Sequence, residues 1–311
     1  MTYAFVFPGQ GSQSVGMMKG FEDSRAVRST FDEASEALDQ DMWELAQAGP
    51  AESQSLTINT QPLMLTAGVA VYRAWLEAGG LPPAMVAGHS LGEYSAWVVA
   101  GAIEFRDALP LVRLRAAAMQ DAVPVGQGAM AAILGLGDDA VKAACEEAAQ
   151  GEVVEAVNFN APSQVVIAGH KSAVERAAVS AKQRGAKRAM LLPVSAPFHS
   201  SLLAPAAARL AQQLSLVRVL APKIPVVNNV DVTVVSNPDA IRDVLARQAC
   251  NPVRWVEVVQ YMGHVGLTRV FECGPGKILA GLTKRILPDV ESHSIADGLA
   301  LTSAIEMVRN G

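Results

Sequence analysis

Short apolar runs that end in glycine or proline alternate with helical periodicity along most of the 311 residues, and this alternation constrains the fold more than any other feature. Strands followed in turn by helices argue for a parallel sheet with helices packed on its faces. Residues 3–7 form the first apolar run, closed by Pro8-Gly9 and a Gly/Ser/Gln loop that reaches Gly16. Helical spacing predicts helices over 24–38 and 61–78, the second stopped by Gly79-Gly80. A second strand at 85–87 runs into Gly88-His89-Ser90-Leu91-Gly92, then an apolar helix to about residue 100, and another helix covers 106–121.

From 128 to 194 the order changes. Strand, helix, strand, strand, helix, strand are predicted at 129–134, 138–150, 153–159, 164–168, 172–184 and 187–192, a ferredoxin-like order. We therefore expect a large parallel α/β domain from 1–126 and 196–311, interrupted by a ferredoxin-like subdomain at 127–195. After Pro197 the first pattern resumes: helices at 202–216, 239–249, 253–264 and 297–309, and strands at 224–228 and 268–272. Gly274-Pro275-Gly276 reads as a turn before a helix to about 287, and 288–296 as a polar segment.

Composition excludes several function classes. Half of the residues are apolar and the mean hydropathy is +0.24, yet no span of about 20 apolar residues is present to cross a bilayer. The opening MTYAFVFPGQ enters a strand without a basic leader, so a cytoplasmic protein without a signal peptide is expected. A net charge of −5 argues against a nucleic-acid binder. Cys145, Cys250 and Cys273 are odd in number and widely spaced, and the five histidines stand singly. Neither a disulfide framework nor a metal site is expected from that spacing.

The chemistry concentrates in a few residues. G-x-S-x-G between a strand and a helix is the context of a nucleophile elbow, in which Ser90 projects from the top of the sheet. The Leu91 N–H at the helix start can face a developing oxyanion, and the Gln10 N–H at the end of the first strand is a candidate second donor. A serine needs a base. His89 suits support of the turn, and His170, His264 and His293 suit packing or surface positions. His199, in Ser195-Ala196-Pro197-Phe198-His199-Ser200, is the preferred base by a small margin. Arg115 lies inside the apolar stripe of its helix with Leu111, Val112, Ala116 and Met119, whereas Arg113 points to the edge. A guanidinium there needs an anionic partner, which is either a structural carboxylate or the carboxylate of a substrate. Lys182, Arg184, Lys187 and Arg188 form a basic cluster on an acidic chain: either a solvated face or a docking patch for an acidic partner.

With these residues in place, the sequence resembles the malonyl-CoA:acyl carrier protein transacylases of bacterial type II fatty-acid synthesis. The resemblance runs through Phe7-Pro8-Gly9-Gln10-Gly11-Ser12-Gln13, Gly88-His89-Ser90-Leu91-Gly92-Glu93, Arg115, Pro197-Phe198-His199, Asn228-Asn229-Val230 and Glu272-x-Gly274-Pro275-Gly276. It implies an α/β-hydrolase-like large domain with a ferredoxin-like insertion, Ser90 as nucleophile, His199 as base and Gln248 as the residue whose backbone carbonyl orients that base. It implies Gln10 and Leu91 as the oxyanion hole and Arg115 as holder of the malonyl carboxylate. His89 and Asn160 would line the acyl pocket. Phe198 stands where polyketide relatives carry a His-Ala-Phe-His stretch, and it fits an unbranched acyl group. Malonyl-CoA and holo acyl carrier protein are the implied partners of a monomer, with coenzyme A as part of the substrate and no cofactor or metal. An α/β-hydrolase esterase, a non-catalytic carrier-binding protein, and a transacylase of a malonate decarboxylase or polyketide system are the alternatives that the sequence leaves open.

Overall fold

A computed structural model describes residues 2–194 and 196–310. Among these residues the strands run in chain order as β1 (Tyr3–Phe7), β2 (Met85–Gly88), β3 (Gly128–Leu134), β4 (Val154–Ala161), β5 (Gln164–His170), β6 (Arg188–Leu191), β7 (Val226–Val227), β8 (Arg269–Cys273) and β9 (Glu291–Ile295). They form two sheets. The larger has the order β7-β2-β1-β8-β9, and each neighbouring pair is parallel. The smaller has the order β4-β5-β3-β6 and is antiparallel throughout.

The central part of the parallel sheet is covered on both faces, so β1 (YAFVF), β2 (MVAG) and β7 (VV) read as unbroken apolar runs rather than alternating ones. Every residue of β1, β2 and β8 is buried. On one face Tyr3, Phe5 and Phe271 meet Trp75 of the helix Thr57–Glu77 in tilted and edge-on contacts of 5.0–6.0 Å. On the other, Ala4, Val6 and Val270 pack against Leu279, Leu282 and Ile286. No helix of the described residues is long and apolar enough to cross a membrane.

The antiparallel sheet packs the helices Asp138–Ala149 and Lys171–Gln183 against one face, around Ile133, Val141, Val165, Ile167 and Val174. All four of its strands lie between Gly128 and Leu191. We propose to keep the division of the chain at 127–195, with its last residue, Ser195, outside the described residues. The two parts are stitched together by backbone. The Val253 N–H donates to Val157 O at 2.8 Å, and the Phe159 N–H donates to Val253 O at 3.0 Å.

Three expectations are corrected. The helix expected at 61–78 starts a turn earlier, at Thr57, and carries Pro62 inside it. The strand expected at 224–228 is only Val226–Val227. The segment 288–296 contains β9, which adds in register along β8 from Glu291 to Ile295. Its sequence, ESHSI, is polar because it is an edge strand with only Ser292 and Ile295 buried. Two short helices, Met42–Gln47 and Ala51–Ser55, also escape the periodicity argument, since neither is long enough to show a repeat.

Candidate active site

The turn between β2 and the helix Gly92–Val99 holds Ser90 at φ +51°, a left-handed conformation that costs a non-glycine residue about 1–2 kcal/mol. Glycines on either side make it possible. A Cβ on Gly88 would fall 1.9 Å from the Gly92 carbonyl, and one on Gly92 would fall 1.9 Å from Phe7 O. The β1 loop presses equally close, since a Cβ on Gly9 would fall 2.6 Å from His89 O. Asn229, just after β7, clasps the turn: its Oδ1 accepts the Ser90 N–H at 2.9 Å, and its Nδ2 donates to Gly88 O at 2.8 Å.

His199 meets this turn from the other side. Its Nε2 lies 2.7 Å from Ser90 Oγ, and its Nδ1 lies 2.8 Å from Gln248 O. A carbonyl can only accept, so Nδ1 carries the proton and Nε2 is left to accept from the serine hydroxyl. The imidazole is 3% exposed. Burial, followed by the neighbouring positive charge of Arg115, pushes its pKa down to about 3. It is therefore neutral around pH 7.

Arg115 enters from the helix Phe105–Asp121 and is 1% exposed. Its Nη1 donates to Gln61 Oε1 at 2.7 Å, and its Nη2 donates to Gln248 Oε1 at 2.9 Å and Ser90 Oγ at 3.2 Å. The guanidinium also lies 5.3 Å above the Tyr94 ring. Its Nε–H has no acceptor among the described residues. Thus an imidazole and a partly satisfied cation converge on the oxygen of one hydroxyl.

An acyl transferase domain model matches residues 4–291. A malonyl CoA-acyl carrier protein transacylase of Escherichia coli strain K12 is 56% identical over 98% of this chain and 99% of its own. The chain belongs to this family of acyltransferases. A solved acyl-carrier-protein S-malonyltransferase from Burkholderia pseudomallei superposes with a TM-score of 0.97 at 63% identity, over 98% of this chain and all of that one. A malonyl-transacylase solved in complex with its type II PKS acyl-carrier protein superposes with a TM-score of 0.97 at 49% identity, over 99% and 100% of the two chains.

In this transacylase fold the remaining candidates take distinct places. The Gln10 and Leu91 amides flank the turn, and neither N–H has a protein acceptor among the described residues. His89 Nε2 is 2.7 Å from Asn160 Oδ1 on β4, a direct link from the turn to the antiparallel sheet. The His89 ring stands edge-on to Trp255 at 5.5 Å. Phe198 is buried in the main core beside His199. Lys182, Arg184, Lys187 and Arg188 are all exposed at the β6 side of the small sheet, but Arg184 is paired with Glu147 at 2.9 Å. Among the described residues no group of three or more His, Cys, Asp or Glu side chains is placed to hold a metal ion.

Four polar residues at the site carry no role in the sequence argument: Gln61, Glu93, Asn229 and the side chain of Gln248. All are at most 3% exposed. The signal for Glu93 is present in the sequence, since it is the single charge in the otherwise apolar helix GEYSAWVV. Gln61 has no such mark, because a glutamine before Pro62 reads equally well as the start of a helix.

Proposed function

We propose that the protein moves a malonyl group from malonyl-CoA to the phosphopantetheine thiol of holo acyl carrier protein, through an ester on Ser90, and so supplies fatty-acid elongation. The observation that carries this reading is the convergence on Ser90 Oγ of His199 Nε2 at 2.7 Å and Arg115 Nη2 at 3.2 Å. A nucleophile, its base and a cation for the acyl carboxylate then lie within one acyl group of each other.

The steps follow from the donors and acceptors. His199 Nε2 takes the Ser90 proton as Oγ attacks the thioester carbonyl, and Gln248 O supports the imidazolium through Nδ1–H. The free amide N–H groups of Gln10 and Leu91 suit the oxyanion, and one such donor contributes about 3–4 kcal/mol to the transition state. His199 returns the proton to the departing CoA thiolate. In the second half the carrier thiol gives up its proton to His199 Nε2 and attacks the ester carbonyl, and Nε2 passes that proton to Ser90 Oγ as the ester bond breaks, restoring the hydroxyl. One methylene separates the ester carbonyl from the malonyl carboxylate, which brings the carboxylate beside the Arg115 fork. His89, Asn160 and Phe198 would wall the acyl group. The chemistry as written needs neither a metal nor a redox cofactor. The unpaired Cys145, Cys250 and Cys273 suit a reducing, cytoplasmic setting.

An esterase would leave Arg115 without a task, and transfer tests the difference. Malonyl-CoA alone should add one malonyl group to Ser90 by intact mass, and holo carrier protein should remove it. Label on another residue, or none, removes the mechanism. Arg115→Ala should lower kcat/KM for malonyl-CoA by about 100-fold or more, as loss of paired charge-assisted hydrogen bonds implies, while sparing acetyl-CoA. An equal fall for both thioesters would make Arg115 a structural residue.

A further inference from the structure

Arg115 is buried and positively charged, yet among the described residues no carboxylate makes a direct ion pair with it. Its acceptors are two neutral amides and a hydroxyl. An uncompensated buried cation is costly, and Glu93 is the acid placed to compensate it. Glu93 is fully buried in the first turn of the helix Gly92–Val99. Its Oε2 accepts from Gln248 Nε2 at 2.8 Å and from the Asn229 N–H at 3.0 Å, and its Oε1 accepts from Trp97 Nε1 at 3.2 Å. All three partners can only donate at these atoms, which suits an ionised carboxylate.

We propose that Glu93 is a positioning residue: a counter-charge held one amide away from Arg115, with the Gln248 side chain as the relay, so that the guanidinium is balanced inside the fold while its fork stays open to the carboxylate of a substrate. The relay has a fixed sense. Gln248 Nε2 is committed to Glu93 and to Ser90 O, the latter at 2.9 Å, so Oε1 must face Arg115. Turned over, the amide would set its N–H groups against the guanidinium and its oxygen against the Glu93 carboxylate and the Ser90 carbonyl it now serves. A glutamate in direct contact with Arg115 would balance the charge more strongly, but a substrate carboxylate would then have to displace a charged rival. Neutral amides share the fork at lower cost. Burial pushes the Glu93 carboxyl up to about 7 against the pull of its N–H donors and Arg115, so the counter-charge is complete only above that pH, where the rates below are to be compared.

The inference rests on the assignment of Arg115 to the malonyl carboxylate, and the test separates the two. Glu93→Gln in the full chain keeps the size and, with its Oε1 toward Gln248 and Asn229, two of the three hydrogen bonds, but removes the charge and the Trp97 bond. It should lower kcat/KM for malonyl-CoA at least about tenfold and change acetyl-CoA by less than about threefold, the split expected when one substrate-specific charge contact is weakened. The double variant Glu93→Gln/Gln248→Glu moves the charge onto the fork without changing the net charge. It should unfold thermally near the wild-type temperature and still fail to recover malonyl transfer. Equal losses for both thioesters in Glu93→Gln, or recovery of malonyl transfer in the double variant, overturns the proposal. If Arg115→Ala is selective and Glu93→Gln is silent, the counter-charge falls alone; if Arg115→Ala is itself unselective, both fall.

Discussion

In the parallel sheet β1, β2 and β8 are buried from end to end, whereas in the antiparallel sheet β3 alternates and β6 leaves Met190 and Leu191 about half exposed. The difference is one of layers. Helices cover the large sheet on both faces, so its loops are held by a dry, close-packed frame that can keep Ser90 and His199 at positive φ. Three parts of the site arise at the C-terminal ends of these strands, Gln10 after β1, Ser90 after β2 and Asn229 after β7, the usual place for sites in open α/β sheets, while Arg115 and Gln248 come from helices. The small sheet carries its own helices on one face and sends Met130, Val166 and Ala168 of the other into the main core, so only its β6 edge is left largely exposed. It contributes Asn160 at the edge of the site and presents exposed cations to solvent. The frame holds the chemistry, and the β6 edge faces solvent.

Substitutions in the two sheets should break this comparison most directly. Phe271→Ala removes a fully buried ring from the cluster with Tyr3, Phe5 and Trp75 and should cost about 3–5 kcal/mol. Leu191→Ala, on the exposed strand, should stay within about 0.5 kcal/mol. Urea unfolding of both variants checks the contrast, and similar losses would mean that the two sheets are equally tight.

The junction between them should show itself in pH. The His199 pKa is lowered from the ordinary 6.5 to about 3, so the neutral imidazole is the form the fold stabilises. Its contribution is fully present above pH 6.5 and is lost as pH falls toward 3. Glu93, raised from 4.5 to about 7, acts in the opposite sense: its contribution is present below 4.5 and lost as pH rises through about 7. Both proteins in the comparison below retain Glu93, so their difference isolates the histidine. Between pH 6.5 and 3 the urea midpoint of wild type should fall more steeply than that of His199→Asn. Parallel curves would remove burial as the cause.

The smallest effect belongs to the exposed edge of the small sheet. Lys187→Glu/Arg188→Glu should slow transfer to holo carrier protein several-fold at low salt, and the difference should fade as salt is added. Arg184→Glu should do less, because Glu147 already occupies that cation. Unchanged low-salt rates would place docking elsewhere.

What the sequence by itself determined is local: the alternation behind β1, β2 and the inserted β-α-β-β-α-β unit, the glycines that demand a tight turn around Ser90, and Arg115 in its apolar stripe. Each of these is written in neighbouring residues, through a repeat of two or 3.6 or through a missing Cβ. The choice of His199 over the other histidines came by a narrow margin from chemistry, and the third position, Gln248, came from resemblance, because a backbone carbonyl has no residue signature. Only the tertiary structure decided which polar groups complete one another. Gln248 Nε2 reaches Ser90 O across 158 residues of chain, and Glu93 reaches the Asn229 N–H across 136. β9 is a strand because β8 offers it a partner edge, not because ESHSI favours one. A buried polar atom must find its partner in space, and nothing in the chain beside it states where that partner will come from.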